Sequence, residues 1–214
     1  DIAARLLQID RDFDYGETQS TWWWQAGLLH LADLPRPRVK LQNAATALMT
    51  ITAMQSQLPV PQAAIHQGLL EVNVPGRFQE IDCQCPVILD VAHNPQACSW
   101  LAEQLAMQLV AGKTVMIIGL AESNTIAPTL SPLLESIDTW VAVPLSGRPS
   151  HSITKIEQEL RALGVKNCYT SNNLADALQA VLEHVTALDR IVVSGSFSAV
   201  QEAMQFLGDR THGG

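Results

Sequence analysis

The sequence predicts an α/β fold whose C-terminal part is a doubly wound, mainly parallel sheet of five to six strands. Three observations carry that reading. From residue 86 onward, short apolar runs alternate with helix-length segments of 3.6-residue periodicity, the pattern of βαβ units joined by right-handed crossovers. The runs are rich in Val and Ile and apolar throughout, as strands buried on both faces require. Helix punctuation also fits: Asn94 before Pro95, Ser152 and Ser198 are placed to cap helices, and Gly164 to stop one.

The elements follow in order. Residues 11–15 and 20–25, around a turn at Gly16, read as two short antiparallel strands, with Trp22, Trp23 and Trp24 as core or interface rather than a ligand cage. Ala44, Ala47, Leu48, Ile51 and Met54 recur at helical spacing and predict a helix over 43–56, and Pro61 opens a second running to Leu70. The Pro75-Gly76 dipeptide then breaks the chain. Beyond it, strands are predicted over 87–91, 114–120, 139–144, 166–169 and 191–194. Helices are predicted over 95–110, 128–137, 152–163, 174–187 and 199–207.

Composition narrows the function classes. Of 214 residues, 47% are hydrophobic and 16% charged, which disfavours a disordered tail, a collagen-like repeat or a coiled coil. Thirteen Lys+Arg against 21 Asp+Glu give a net charge of -8, and no basic run offers an electrostatic footprint for nucleic acid. Cys83, Cys85, Cys98 and Cys168 form no CxxC pair and read as reduced core thiols. No apolar run reaches membrane-spanning length and no signal peptide is visible, so the expectation is a cytoplasmic protein without a membrane partner. The first residue is Asp and the chain opens without a cap or leading strand, which reads as a piece of a longer protein.

In an open α/β sheet ligands bind beyond the carboxyl ends of the strands, where helix N-termini present free amides. That rule selects Asp90, His93 and Asn94 after the first strand, residues 122–125 after the second, 146–148 after the third, and Ser194-Gly195-Ser196 after the last. Asp90 interrupts the apolar run PVILDVAHNP, so its carboxylate needs donors, from an Asx-type turn or from a ligand such as a ribose hydroxyl. His93 projects from the same turn, and no further residues at matching spacing suggest a zinc site. Arg77 follows the chain break, where a guanidinium is suited to anionic oxygens. Two motifs fail. Gly112-Lys113-Thr114 resembles the end of a phosphate-binding loop, but Met107 stands where its first glycine belongs, and no GxGxxG follows a strand.

Four segments together resemble a known family: Leu41-Gln-Asn-Ala-Ala-Thr-Ala-Leu48, the stretch from Leu70 to Ile81 containing Pro-Gly-Arg-Phe, Asp90-Val-Ala-His-Asn-Pro95, and Ser194-Gly-Ser-Phe197. The chain resembles the bifunctional folylpolyglutamate synthase/dihydrofolate synthase family, which is similar to the Mur ligases. The resemblance implies that 1–74 is the end of a central ATPase domain, 75–78 a linker and hinge, and 79–214 a Rossmann-like C-terminal ligase domain. It implies ATP-dependent addition of L-glutamate to dihydropteroate or a reduced folate through an acyl phosphate. ATP and Mg2+ are the implied cofactors, with the phosphate-binding loop and metal ligands upstream, and the chain alone is expected to be an inactive monomer.

By the same resemblance, Asn43 touches adenine, Arg77 the nucleotide phosphates and Asp90 the ribose side. His93, Asn94 and Ser196 serve the incoming glutamate, with His93 and Arg77 as the catalytic pair. Two positions depart from the family. Residues 122–125, Glu-Ser-Asn-Thr, stand where an Asp-Lys-Asp segment is frequent, and Ser198 where a histidine is common. The alternatives are a Mur-type cell-wall amino-acid ligase and a non-catalytic α/β module that binds a nucleotide or a protein.

Overall fold

The computed structural model describes residues 5–147 and 149–212, so Arg148, in the turn expected after the third strand, lies outside the described residues. The chain divides into two units, Asp1–Val74 and Pro75–Gly214. The first begins with an antiparallel meander of β1 (Asp14–Glu17), β2 (Thr21–Ala26) and β3 (Leu29–Pro35), followed by helices α1 (Leu41–Met54) and α2 (Gln62–Glu71). Strand alternation divides the tryptophans: Trp22 and Trp24 are buried, while Trp23 faces outward and stacks on His30. Burial obliges each indole N–H to find an acceptor, and Trp22 donates to Pro35 O and Trp24 to Ala45 O of α1. Strand β3 escapes the sequence reading because only Leu31 and Leu34 of it are buried, a spacing of three that is not strand periodicity.

The second unit is a six-stranded sheet in the order β4-β5-β9-β6-β7-β8. Its strands are β4 (Gln79–Asp82), β5 (Pro86–Leu89), β6 (Thr114–Ile118), β7 (Thr139–Ala142), β8 (Cys168–Thr170) and β9 (Arg190–Ser194). All pairings are parallel except β4 with β5, which makes the sheet mainly parallel as its sequence implies. Helices α3 (Pro95–Met107), α4 (Ile126–Leu130) and α5 (Ile153–Ala162) cover one face, and α6 (Leu174–Leu182) and α7 (Phe197–His212) the other. Side chains alternate between the two cores: Val87, Leu89, Ile191 and Val193 meet α6 and α7, whereas Ile88, Met116, Ile118 and Val192 meet α3, α4 and α5.

Most local expectations hold, with instructive exceptions. Asn94 caps α3 ahead of Pro95, Ser152 caps α5, and Gly164 stops it at φ 91°. Helix α7 begins earlier than its periodicity suggests: Ser196, not Ser198, accepts the Ala199 N–H and caps it. The helix expected over 128–137 is only α4 and a 3-10 turn at Ser131–Leu133, because Pro132 lacks the N–H an α-helix needs there. Cys85, Cys98 and Cys168 are buried free thiols, but Cys83 is exposed, in the bend between β4 and β5 rather than in the core. Among the described residues no helix is long and apolar enough to cross a membrane.

Candidate functional site

The insertion of β9 between β5 and β6 creates the site. Helix α7 leaves β9 on one face, while α3 after β5 and α4 after β6 leave on the other, which opens a crevice beyond the strand ends. Residues 90–94, 119–125 and 194–196 converge there, with Asp90 N–H donating to Val193 O at 3.1 Å and Ser194 Oγ donating to Ala92 O at 2.9 Å. The approach demands glycine. Gly195 sits at φ 106°, and a Cβ on it would run into the Gly119 carbonyl oxygen.

Asp90 is 3% exposed and spends its carboxylate on the backbone. Oδ1 accepts the Ala92 N–H at 2.7 Å and Oδ2 the Phe78 N–H at 2.8 Å, so one side chain joins the turn after β5 to the segment before β4. Burial pushes its carboxyl above the ordinary value, an effect opposed by those two amides and by Arg77 and His93 nearby. Of the two sources of donors that the sequence left open, the Asx-type turn is present, and each oxygen keeps a lone pair.

Arg77 stands between two residues with positive φ, Gly76 at 70° and Phe78 at 41°. Three hydrogen bonds hold that unusual backbone: Val91 N–H to Gly76 O, Gly76 N–H to Gln79 Oε1, and Phe78 N–H to Asp90. Phe78 also packs edge-on against Trp100 of α3. The guanidinium carbon of Arg77 lies 5.4 Å from the ring centre of Phe197, and among the described residues Arg77 makes no ion pair.

His93 is half-buried, and its Nδ1 lies 2.7 Å from Val91 O. A carbonyl only accepts, so Nδ1 carries the proton and Nε2 is the free acceptor of the neutral ring. Asn94 is exposed and accepts the Ala97 N–H at 2.9 Å. Ser196 is buried; its Oγ accepts the Ala199 N–H and lies 3.0 Å from Ser198 Oγ. Asn43 belongs to the first unit, exposed on the opening turn of α1.

The structure adds two residues that sequence reasoning left without roles, Phe197 and His151. His151 Nε2 donates to Asn124 O at 2.7 Å and ties the departing 122–125 segment to the loop before α5. Neither contact leaves a local signal, because each partner is a loop residue far away in sequence. A cavity of about 550 Å3 lies elsewhere, beneath α6, lined by Lys113, Val115, Thr139, Val141, His184 and Asp189, and shares no residue with these turns. Among the described residues no group of three or more His, Cys, Asp or Glu could hold a metal ion.

A family model described as Mur ligase, glutamate ligase domain, matches residues 76–197. Over 211 residues the chain is 34% identical to the dihydrofolate synthase/folylpolyglutamate synthase of Escherichia coli, covering 99% of this chain and 48% of that protein. The structure of Escherichia coli FolC in complex with ADP, without folate substrate, superposes with a TM-score of 0.84 at 34% identity, covering 97% of this chain and 49% of that one. The bifunctional folylpolyglutamate synthase/dihydrofolate synthase of Yersinia pestis, complexed with AMPPNP and Mn ion, gives a TM-score of 0.83 at 35% identity, with coverages of 96% and 48%. The chain spans about half the length of the curated relatives it matches.

Proposed function

Given that this chain belongs to the Mur ligase family, through its glutamate ligase domain, we propose that it serves an ADP-forming ligase joining L-glutamate to dihydropteroate or a reduced folate. The observation that carries the reading is Arg77: a guanidinium that makes no ion pair among the described residues, held on a clamped turn beside the crevice where His93 and the start of α7 converge.

The chemistry assigned is phosphorylation of the acceptor carboxylate by ATP, followed by attack of the glutamate amine on the acyl phosphate. The products are an amide, ADP and phosphate. In both steps catalysis rests on orientation and on neutralising phosphoryl charge. Arg77 supplies fixed positive charge to the phosphates. His93 presents Nε2 as acceptor to the glutamate amine and takes the proton lost as the amide forms. Asn94 and Ser196 orient the glutamate, Asp90 fixes the two turns on the ribose side, and Asn43 is assigned to adenine. Mg2+ accompanies the ATP and neutralises phosphate charge when bound. The described residues offer it no carboxylate cluster, so its ligands are assigned to the part of the relatives that this chain does not span. Residues 75–78 serve as the hinge, and the protein works as a cytoplasmic monomer.

The test is ATP-dependent incorporation of labelled glutamate by the whole protein, offered dihydropteroate and a reduced folate in parallel. Incorporation into either supports the proposal, and the preferred acceptor identifies the activity. A folded protein that binds ATP yet incorporates glutamate into neither overturns it. Residues 1–214 alone are expected to turn over no ATP.

A further inference from the structure

We propose that Phe197 is a positioning residue for Arg77, an aromatic platform that holds the guanidinium in place for anionic phosphate oxygens. The inference rests on the nucleotide-binding role assigned to Arg77 above. Its first support is the backbone. Arg77 is flanked by two left-handed residues, of which Phe78 is a bulky side chain that resists that conformation. The bonds to Asp90, Val91 and Gln79 hold it there, so the base of the Arg77 side chain has one fixed direction.

The second support is what restrains the other end. An arginine has several rotatable bonds, and no carboxylate pairs with this one among the described residues. The group facing it is the Phe197 ring, 5.4 Å away. A cation–π contact restrains a guanidinium without supplying an oxygen acceptor or a negative charge, so N–H donors remain for a ligand. A carboxylate in the same place would consume those donors and cancel the charge. Phe197 restrains Arg77 and does neither.

The third support is that packing does not explain Phe197. It is 61% exposed at the first position of α7, whereas the helix meets its core through Ala199, Val200, Ala203 and Leu207. A large ring in solvent, directly after the buried cap Ser196, contributes little to the fold there.

The experiment uses the whole protein and compares Phe197→Leu, Phe197→Tyr, Arg77→Ala and the double variant Arg77→Ala/Phe197→Leu. It measures KM for ATP, kcat, AMPPNP affinity and thermal melting. Phe197→Leu keeps apolar bulk and removes the aromatic face, so KM for ATP and the AMPPNP dissociation constant should rise about 3- to 20-fold with a smaller change in kcat. Phe197→Tyr should recover most of the loss. The double variant should bind AMPPNP no more weakly than Arg77→Ala alone, because the ring acts through the guanidinium. If Phe197→Leu melts early, the same cycle is run with Phe197→Gln. Parent-like KM and affinity in the Leu variant, or single effects that multiply in the double variant, overturn the proposal while leaving Arg77 in its role. A parent protein that neither binds AMPPNP nor turns over ATP overturns the role of Arg77, and the platform with it.

Discussion

Two arginines at opposite edges of the same sheet show how one residue type serves scaffold or chemistry according to what meets its donors. At the amino edge Arg190 is 4% exposed, and its guanidinium donates to Leu105 O and Gln108 O at the end of α3 and to Thr114 Oγ1. Those carbonyls are the unsatisfied end of a helix, where a cation is electrostatically welcome. Only Nε is left without a partner. At the carboxyl edge Arg77 is half-buried, meets an aromatic face instead of acceptors, and keeps its donors. The amino edge closes the fold on itself, and the carboxyl edge leaves polar groups open to a ligand.

The largest expected effect that would break this contrast is at Arg77. Its replacement by Ala in the whole protein should lower kcat/KM for ATP by about 10^2- to 10^3-fold, with thermal melting close to the parent. Equal kinetics would remove it from the site. Gly195→Ala should cost about 3 kcal/mol or more, measured by denaturant unfolding, since it combines a positive φ with a backbone clash at Gly119. Arg190→Ala should cost about 2–4 kcal/mol, because it leaves buried acceptors unpaired and a void behind, with unchanged KM for ATP in the protein that remains folded. A kinetic effect of Arg190→Ala beyond its loss of stability would erase the distinction between the two edges.

Two smaller measurements sharpen the comparison on the buried side of the carboxyl edge. Burial raises the Asp90 carboxyl above its ordinary 3.8. A raised carboxyl contributes stability below the unfolded value and loses it as pH climbs through the folded one. Relative to Asp90→Asn, the parent should therefore lose stability as pH rises above 3.8, and a flat difference would mean the carboxylate is not desolvated. Cys98, on α3, is pushed up to about 12, mainly by burial. In native protein at pH 8, iodoacetamide should label exposed Cys83 and spare Cys98 until denaturant is added. Equally fast labelling of both would show that water reaches this side of the sheet.

Much of the scaffold was legible in the sequence because its signals are local. Pro95 after Asn94, Ser152 and Gly164 act within one helical turn, and Val- and Ile-rich runs declare buried strands without reference to neighbours. The candidate residues at 90–94 and 194–196 were legible for the same reason, as polar groups just past such runs. Edge strand β4 was not, since Gln79–Asp82 alternates Gln, Glu, Ile and Asp and exists as a strand through its pairing with β5.

What the sequence by itself determined is the α/β class, the capped starts of α3 and α5, and the polar turns at one edge, all set by periodicity and capping within a few residues. Tertiary structure alone decided that β9 enters between β5 and β6, that Asp90 clamps Phe78, and that Arg77 rests on Phe197. Those facts join residues 12 to more than 100 positions apart, where strand order and burial, not neighbouring side chains, set the energies.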